Sequence, residues 1–320
     1  MEEKNIVLSI IVPIYNEEMI VQELYRRISD TVKTITNNYE IIFINDGSRD
    51  QSLMHLVAIS QRDEKAFFID FSRNFGHQIA VTAGIDLCRG EAAVIIDGDL
   101  QDPPELIPEM YEKHQEGFNV VYAKRLERQG ESFFKKVTAK AFYRILRKLT
   151  AIDIPLDTGD FRLIDRKIIE CLKQMPEKNK FLRGQIAWLG FKQAAVTFTR
   201  SERKYGTSGY SLGKMISFAL DGITGFSNKP LTFVTRLGFT ISGFSLLVII
   251  YAIFSHFFLQ ETITGWTSLI ISSMFIGGVQ LVSIGIIGEY ISRINNNILN
   301  RPLYVIQKTN LVNSHTEATN

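Results

Sequence analysis

Along the first 125 residues, short apolar runs alternate with stretches whose apolar residues recur every three or four positions. Leu8–Ile14, Glu40–Ile44, Ala66–Phe71, Val94–Ile96 and Asn119–Ala123 have the length and composition of strands. Between the first two, Ile20, Leu24, Ile28, Val32 and Ile35 share one face of a helix expected over 17–35. Leu53, Leu56, Val57 and Ser60 repeat that spacing in 50–60. A further helix is expected over 78–88, and Pro104 opens another at its first turn, where proline is tolerated. The β-α-β-α alternation predicts an α/β fold with a mostly parallel, doubly wound sheet and right-handed crossovers.

The pattern then changes. Residues 127–148 are basic and amphipathic, with Lys135, Lys136, Lys140, Arg144, Arg147 and Lys148 among Phe133, Phe134, Phe142 and Tyr143. That fits a solvated helix face or a helix lying on anionic lipid. Asp157–Arg162 reads as a polar turn, followed by helices over 167–175 and 181–189 and an edge strand over 195–199. Leu212, Met215, Ile216, Ala219, Leu220 and Ile223 stand at helical spacing and predict an interfacial amphipathic helix. Leu237–Gln260 and Thr262–Gly288 contain no Asp, Glu, Lys or Arg. Each exceeds the ~20 residues that cross a bilayer as a helix, so two transmembrane α-helices are expected. Lys214, Lys229 and Arg236 precede the pair; Arg293, Arg301 and Lys308 follow it. The positive-inside rule puts both flanks in the cytoplasm and the connecting turn outside. The expected organisation is a cytoplasmic catalytic domain over 1–210, an interfacial helix over 211–230, a membrane anchor over 231–295 and a cytoplasmic tail over 296–320, unstructured from about Thr309.

Composition narrows the partners. A net charge of +2 on 320 residues gives no reason to expect nucleic acid. Cys88 and Cys171 lie far apart, make no metal spacing, and fit a reduced compartment.

In a parallel sheet the carboxyl ends of the strands line one crevice, where ligands bind. Here those ends are Pro13-Ile14-Tyr15-Asn16-Glu17, Asn45-Asp46-Gly47-Ser48, Arg73-Asn74-Phe75-Gly76-His77 and Asp97-Gly98-Asp99-Leu100-Gln101. Each answers a need of a nucleotide. Glu17 and Asp46 can accept hydrogen bonds from a base or ribose, Tyr15 offers a flat face for stacking, and Arg73 can meet a diphosphate as a fork. In an extended chain Asp97 and Asp99 point the same way. Two hard oxygen ligands, joined by Gln101, suit Mg2+ or Mn2+ held partly by substrate phosphates. His77, at a helix start, reads as a capping or packing residue. A basic loop containing Arg200, Arg203 and Lys204 is the cationic stretch closest in sequence to the expected membrane surface.

The strings Ile11-Val12-Pro13-Ile14-Tyr15-Asn16-Glu17, Asn45-Asp46-Gly47-Ser48, Arg73-Asn74-Phe75-Gly76, Asp97-Gly98-Asp99-Leu100-Gln101-Asp102-Pro103-Pro104, Gly159-Asp160-Phe161-Arg162 and Arg203-Lys204-Tyr205-Gly206-Thr207-Ser208 carry a resemblance. The chain resembles family 2 glycosyltransferases of the GT-A (Rossmann-like) fold. It is most similar to the polyprenyl-phosphate glycosyltransferases related to dolichyl-phosphate mannose synthase, which carry two C-terminal transmembrane helices. It departs from that pattern at Gly209 and Gly213, where the family often has basic residues. The resemblance implies transfer of one sugar, with inversion, from a UDP-sugar (UDP-glucose or UDP-N-acetylhexosamine) to undecaprenyl phosphate, for cell-envelope glycosylation. It implies nucleotide binding by Pro13, Tyr15, Asn16, Glu17, Asp46, Arg73 and Asp97, metal binding by Asp97, Asp99 and Gln101, and acceptor-phosphate binding by Arg200, Arg203, Lys204 and Ser208. Asp99 and Arg162 would assist departure of the nucleotide. Asp157 would be the active-site carboxylate, as base, orienter or turn cap, with Asp160 next to it in order. Self-association, a downstream flippase and a second membrane glycosyltransferase are the expected partners. Two rival readings are a transferase with a non-phosphorylated acceptor and a non-catalytic scaffold. Gln185-Ile186-Ala187-Trp188 lacks the Arg of the first rival's Gln-x-x-Arg-Trp segment, and the intact Asp97, Asp99 and Gln101 argue against the second.

Overall fold

A computed structural model describes residues 5–125, 158–198, 227, 229–254 and 265–311. Its centre is the strand β1 (Leu8–Ile14), all of whose residues are buried. Parallel β2 (Tyr39–Asn45) lies on one side and parallel β4 (Ala92–Ile95) on the other. β3 (Ala66–Phe71) pairs parallel to β2. Strands buried on both faces read as unbroken apolar runs, which is why these elements were legible at once.

The crossovers are α1 (Val21–Lys33), α2 (Ser52–Arg62) and α3 (His77–Leu87). Val21, Leu24, Ile28 and Val32 of α1 pack on Leu8, Ile10, Val12 and Ile14. Ala80, Val81, Ala83 and Ile85 of α3 pack on the opposite face with Ile11, Ile42 and Ile44. The chain therefore runs outward from β1 through β2 and β3, then returns to β4 on the other side of β1. This reversal is the switch point where a doubly wound sheet opens a crevice.

A short 3-10 turn (Pro104–Leu106) leads into α4 (Ile107–Gln115) and β5 (Val120–Arg125). β6 occupies Thr158–Asp165, inserted antiparallel between β4 and β5. This corrects the expected turn at Asp157–Arg162. Phe161 and Leu163 fill the α1–α4 face of the sheet, while Asp160 and Arg162 sit buried on the other. The segment is a strand whose polar side finds partners, and no local signal distinguishes that from a loop. α5 (Arg166–Lys173) is capped by Asp165, whose carboxylate accepts from Ile168 N at 3.0 Å. α6 (Leu182–Trp188) follows, then β7 (Gln193–Phe198), parallel to β5.

Two long helices come next: α7 (Lys229–Phe254, 26 residues) and α8 (Trp266–Ile298, 33 residues). Among the described residues one candidate membrane span emerges, Ser272–Ile298, with none of its apolar window buried. The first expected span coincides with α7 as far as Phe254, and residues 255–264 lie outside the described residues. So do the basic stretch over 127–148 and the interfacial segment over 211–226. After α8 the chain returns to the sheet. β8 (Ile306–Thr309) pairs antiparallel with β3 and completes the order β7-β5-β6-β4-β1-β2-β3-β8. Thr309, expected to begin an unstructured tail, is thus part of the sheet: its hydroxyl donates to Phe68 O at 2.7 Å.

Candidate active site

The loops after β1 and β2 are laced together. Asn16 stands at φ 56, a left-handed conformation that Asn tolerates. Its backbone N–H donates to Ser48 Oγ at 3.0 Å, and its Oδ1 accepts from Arg49 N at 2.8 Å. Glu17 N donates to Ser52 Oγ at 2.9 Å. Tyr15 projects from this frame with 44% of its surface exposed, so its ring is open for stacking.

Asp46 follows β2 directly and is buried, with both oxygens used: Oδ1 accepts from Phe75 N at 2.7 Å and Oδ2 from Gly76 N at 3.0 Å. Burial raises its pKa, while these two donors and the charges of His77 and Arg73 pull it back. Asp46 thus clamps the loop after β3. Gly47 makes that approach possible. It stands at φ +65, and a Cβ there would lie 2.5 Å from the backbone of Arg73 and Asn74. Arg73 is exposed, and its guanidinium lies over the Phe75 ring at 4.1 Å.

The same device recurs at β4. A Cβ on Gly98 would stand 2.8 Å from Pro13 O, so only glycine lets the Asp97–Asp99 turn press against β1. Asp99 Oδ1 accepts from Gln101 N at 3.1 Å and closes the turn. Leu100 adopts φ 57, which costs a bulky residue on the order of 1–2 kcal/mol. Its side chain is buried in the core, which holds that conformation in place.

Asp97 leads to residues that sequence reasoning passed over or set second. Its Oδ1 is buried and accepts no hydrogen bond; His77 Nε2 stands 3.5 Å away. The same Nε2 meets Asp160 Oδ2 at 3.1 Å. Asp160 Oδ2 also accepts from Gln78 Nε2 at 3.2 Å, and its Oδ1 from Arg183 Nε at 2.7 Å. Burial opposes the charge on His77, but Asp97 and the Asp160 hydrogen bond outweigh it and raise the pKa to about 9. Burial likewise opposes ionisation of Asp160, yet Arg183 and His77 hold it well below the usual carboxylate range. Asp97 moves the other way: burial raises it, and Asp160 and Asp99 add to the rise against the pull of His77. Arg162 is buried beside them, with its pKa lowered by burial to about 10. Its guanidinium donates to Gly159 O at 3.0 Å and Asp160 O at 3.3 Å.

His77, Asp97 and Asp160 offer ligand atoms that all lie within 4.8 Å of one another. Two facts decide how a cation fits. Asp160 is already matched by Arg183 and Gln78, and it shares Nε2 of His77 with Asp97. Asp97 Oδ1 is buried and makes no hydrogen bond. Carboxylate oxygens at this position are the hard donors that Mg2+ or Mn2+ takes. His77, expected to cap or pack, instead stands between two carboxylates, its Nε2 3.1 Å from Asp160 Oδ2 and 3.5 Å from Asp97 Oδ1.

Asp157, Arg200, Arg203, Lys204 and Ser208 lie outside the described residues. The residues missed were Gln78 and Arg183. Arg183 opens α6 within Phe-Leu-Arg-Gly, where nothing in the local pattern marks it as facing a carboxylate on β6.

The family described as Glycosyl transferase family 2 matches residues 9–173. The chain is 50% identical over 306 residues to an "Uncharacterized glycosyltransferase YkcC" of Bacillus subtilis (strain 168), covering 96% of this chain and 95% of that one. It is 38% identical over 302 residues to the "SfII prophage-derived bactoprenol glucosyl transferase" of Shigella flexneri, covering 94% and 98%. Among solved structures, glucosyl-3-phosphoglycerate synthase from Mycobacterium tuberculosis, in complex with Mn2+, UDP-glucose and phosphoglyceric acid, is similar at TM-score 0.46 and 17% identity over 68% of this chain and 77% of that one.

Proposed function

Because this chain belongs to glycosyl transferase family 2, we propose that it moves a single sugar from a nucleotide-sugar to a polyprenyl phosphate at a membrane surface. The observation that carries this reading is the Asp97-Gly98-Asp99 turn, pressed against β1 at the switch point with a buried, unsatisfied carboxylate oxygen. The relative named as a bactoprenol glucosyl transferase, aligned over almost its whole length, supports the acceptor class. The apolar span Ser272–Ile298 supports a membrane location.

As the glycosidic bond breaks, negative charge gathers on the departing nucleoside diphosphate. A bound Mg2+ or Mn2+ supplies Lewis-acid stabilisation of that charge. Asp97, Asp99 and Gln101 would hold the ion. Arg73 meets the diphosphate as a fork, Arg162 adds positive potential, and Tyr15 and Glu17 orient the nucleoside, with Pro13 and Asn16 shaping their loop and Asp46 holding the loop that carries Arg73. The nucleophile is a phosphate monoester whose second pKa is ~6, so it arrives ionised and needs orientation more than a strong base. Asp157 would orient it, and Arg200, Arg203, Lys204 and Ser208 would seat its phosphate.

The finer reading is an inverting enzyme using UDP-glucose or a UDP-N-acetylhexosamine and undecaprenyl phosphate. It has a cytoplasmic catalytic domain and a two-helix anchor made by α7 and α8, and serves cell-envelope glycosylation. Purified full-length protein with Mg2+ or Mn2+ is expected to release UDP only when polyprenyl phosphate is present. Release that instead requires a non-phosphorylated acceptor would sink the reading. A panel of donors against one lipid acceptor identifies the sugar.

A further inference from the structure

The chain beyond α8 is fastened to the catalytic face at several points. Asn300, at φ 43, ends the helix in a left-handed turn. Its Oδ1 accepts from Lys178 Nζ at 2.9 Å, and Asn297 Oδ1 accepts from Lys178 N at 3.2 Å. β8 then covers the free edge of β3, where Ser72 N donates to Val305 O at 3.0 Å and Phe68 N to Asn310 Oδ1 at 2.8 Å.

Tyr304 stands at the centre of this strap. Its ring stacks on Phe71 with centroids 5.2 Å apart and planes 16° from parallel, and its hydroxyl donates to Asp86 of α3 at 3.1 Å. Phe71 meets Phe75 edge-on at 5.6 Å. Phe75 carries the Arg73 guanidinium on its ring, and its N–H donates to Asp46. A continuous series of contacts therefore runs from the end of the membrane-candidate helix, through Tyr304, Phe71 and Phe75, to Arg73 and Asp46.

We propose that Tyr304 is a positioning residue that ties the membrane helix to the loop Ser72–Gly76 and holds that loop in the form in which Arg73 receives the donor. The physical need is plain. Ser72, Arg73 and Asn74 are exposed, and Gly76 at φ 102 has open space where a side chain would be, so the loop has little packing of its own. Its fastenings are the Asp46 carboxylate on one side and the Phe71–Tyr304 stack on the other. Because Tyr304 belongs to the strap, a change in how α8 sits against the domain reaches Arg73 through packed rings. The loop-holding half stands on geometry alone; the donor half rests on the function proposed above.

Full-length Tyr304→Ala and Tyr304→Phe decide the matter by amide hydrogen exchange and by titration with UDP. Tyr304→Ala is expected to speed exchange at Phe75 and Gly76, leave β1 and β4 as protected as before, and weaken UDP binding about three- to tenfold, the scale of a lost aromatic pair. Tyr304→Phe keeps the stack and is expected to restore both. Unchanged exchange at Phe75 and Gly76 in Tyr304→Ala overturns the proposal. So does exchange that quickens equally in β1 and β4, which marks a general fold support. Faster loop exchange with undiminished UDP affinity overturns the donor role. Wild-type protein that binds no UDP refutes the nucleotide reading, while the exchange data still judge the strap.

Discussion

Single atoms carry much of this site. Asp97 Oδ1 is enclosed without a hydrogen-bond donor, whereas Asp160 next to it is matched by Arg183, His77 and Gln78. The two carboxylates are therefore placed differently: one makes no hydrogen bond through Oδ1, the other is a hub that fixes three donors. Asp97→Asn is expected to leave the fold intact and reduce Mn2+ affinity and turnover at least about 100-fold, since even outer-shell changes at metal sites cost 10–100-fold. Mn2+ binding followed by electron paramagnetic resonance, with a thermal melt on the same sample, checks it. Retained Mn2+ affinity would remove Asp97 from the metal site. A single histidine after a glycine says nothing about which carboxylates face it, and here Asp97 comes from the turn after β4 and Asp160 from β6.

Among elements, the loops after β2, β3 and β4 owe their shapes to close backbone approach. Gly47 is the sharpest case, because a side chain there meets two fixed backbone atoms at 2.5 Å and its φ of +65 disfavours any L-residue. Gly47→Ala is expected to cost about 2–4 kcal/mol, from left-handed strain and overpacking together, read as a lower urea midpoint. A midpoint within error of wild type would mean that the loops part more easily than their packing implies. Most elements were legible because their signals are local. β1, β2 and β3 are uninterrupted apolar runs, and α1 shows a clean stripe. β6 was not legible, because Asp160 and Arg162 look like turn residues until His77, Gln78 and Arg183 reach Asp160 from α3 and α6 and Arg162 turns onto the carbonyls of Gly159 and Asp160. β8 was not either, since Ile306–Thr309 is short and gains its strand form by pairing with β3.

At the scale of the whole molecule, the site and the long helices belong to one continuous chain path. The sheet opens its crevice at the β1–β4 reversal, and the segment leaving α8 returns to the same sheet at β3. The exposed Met274, Leu281 and Ile284 on α8 would cost water heavily and suit lipid. Replacing Leu281 with Lys places a charge within the span, worth about +2.5 to 3.5 kcal/mol against insertion at a helix centre. Leu281→Lys together with Met274→Lys is expected to shift the protein out of the membrane fraction after carbonate washing. Full retention would mean that α8 is not the segment that holds the protein in the membrane.

By itself, the sequence determined the alternation of strands and helices, the acidic turn at a strand end, the glycines that shape it and the apolar spans, because period, turn chemistry and charge gaps are written in neighbouring residues. Tertiary structure alone decided which charges meet. Asp160 reaches His77 across 83 positions and Arg183 across 23, and Tyr304 reaches Asp86 across 218. Those encounters depend on strand order and on where a returning strap lands, and no window of sequence contains both partners.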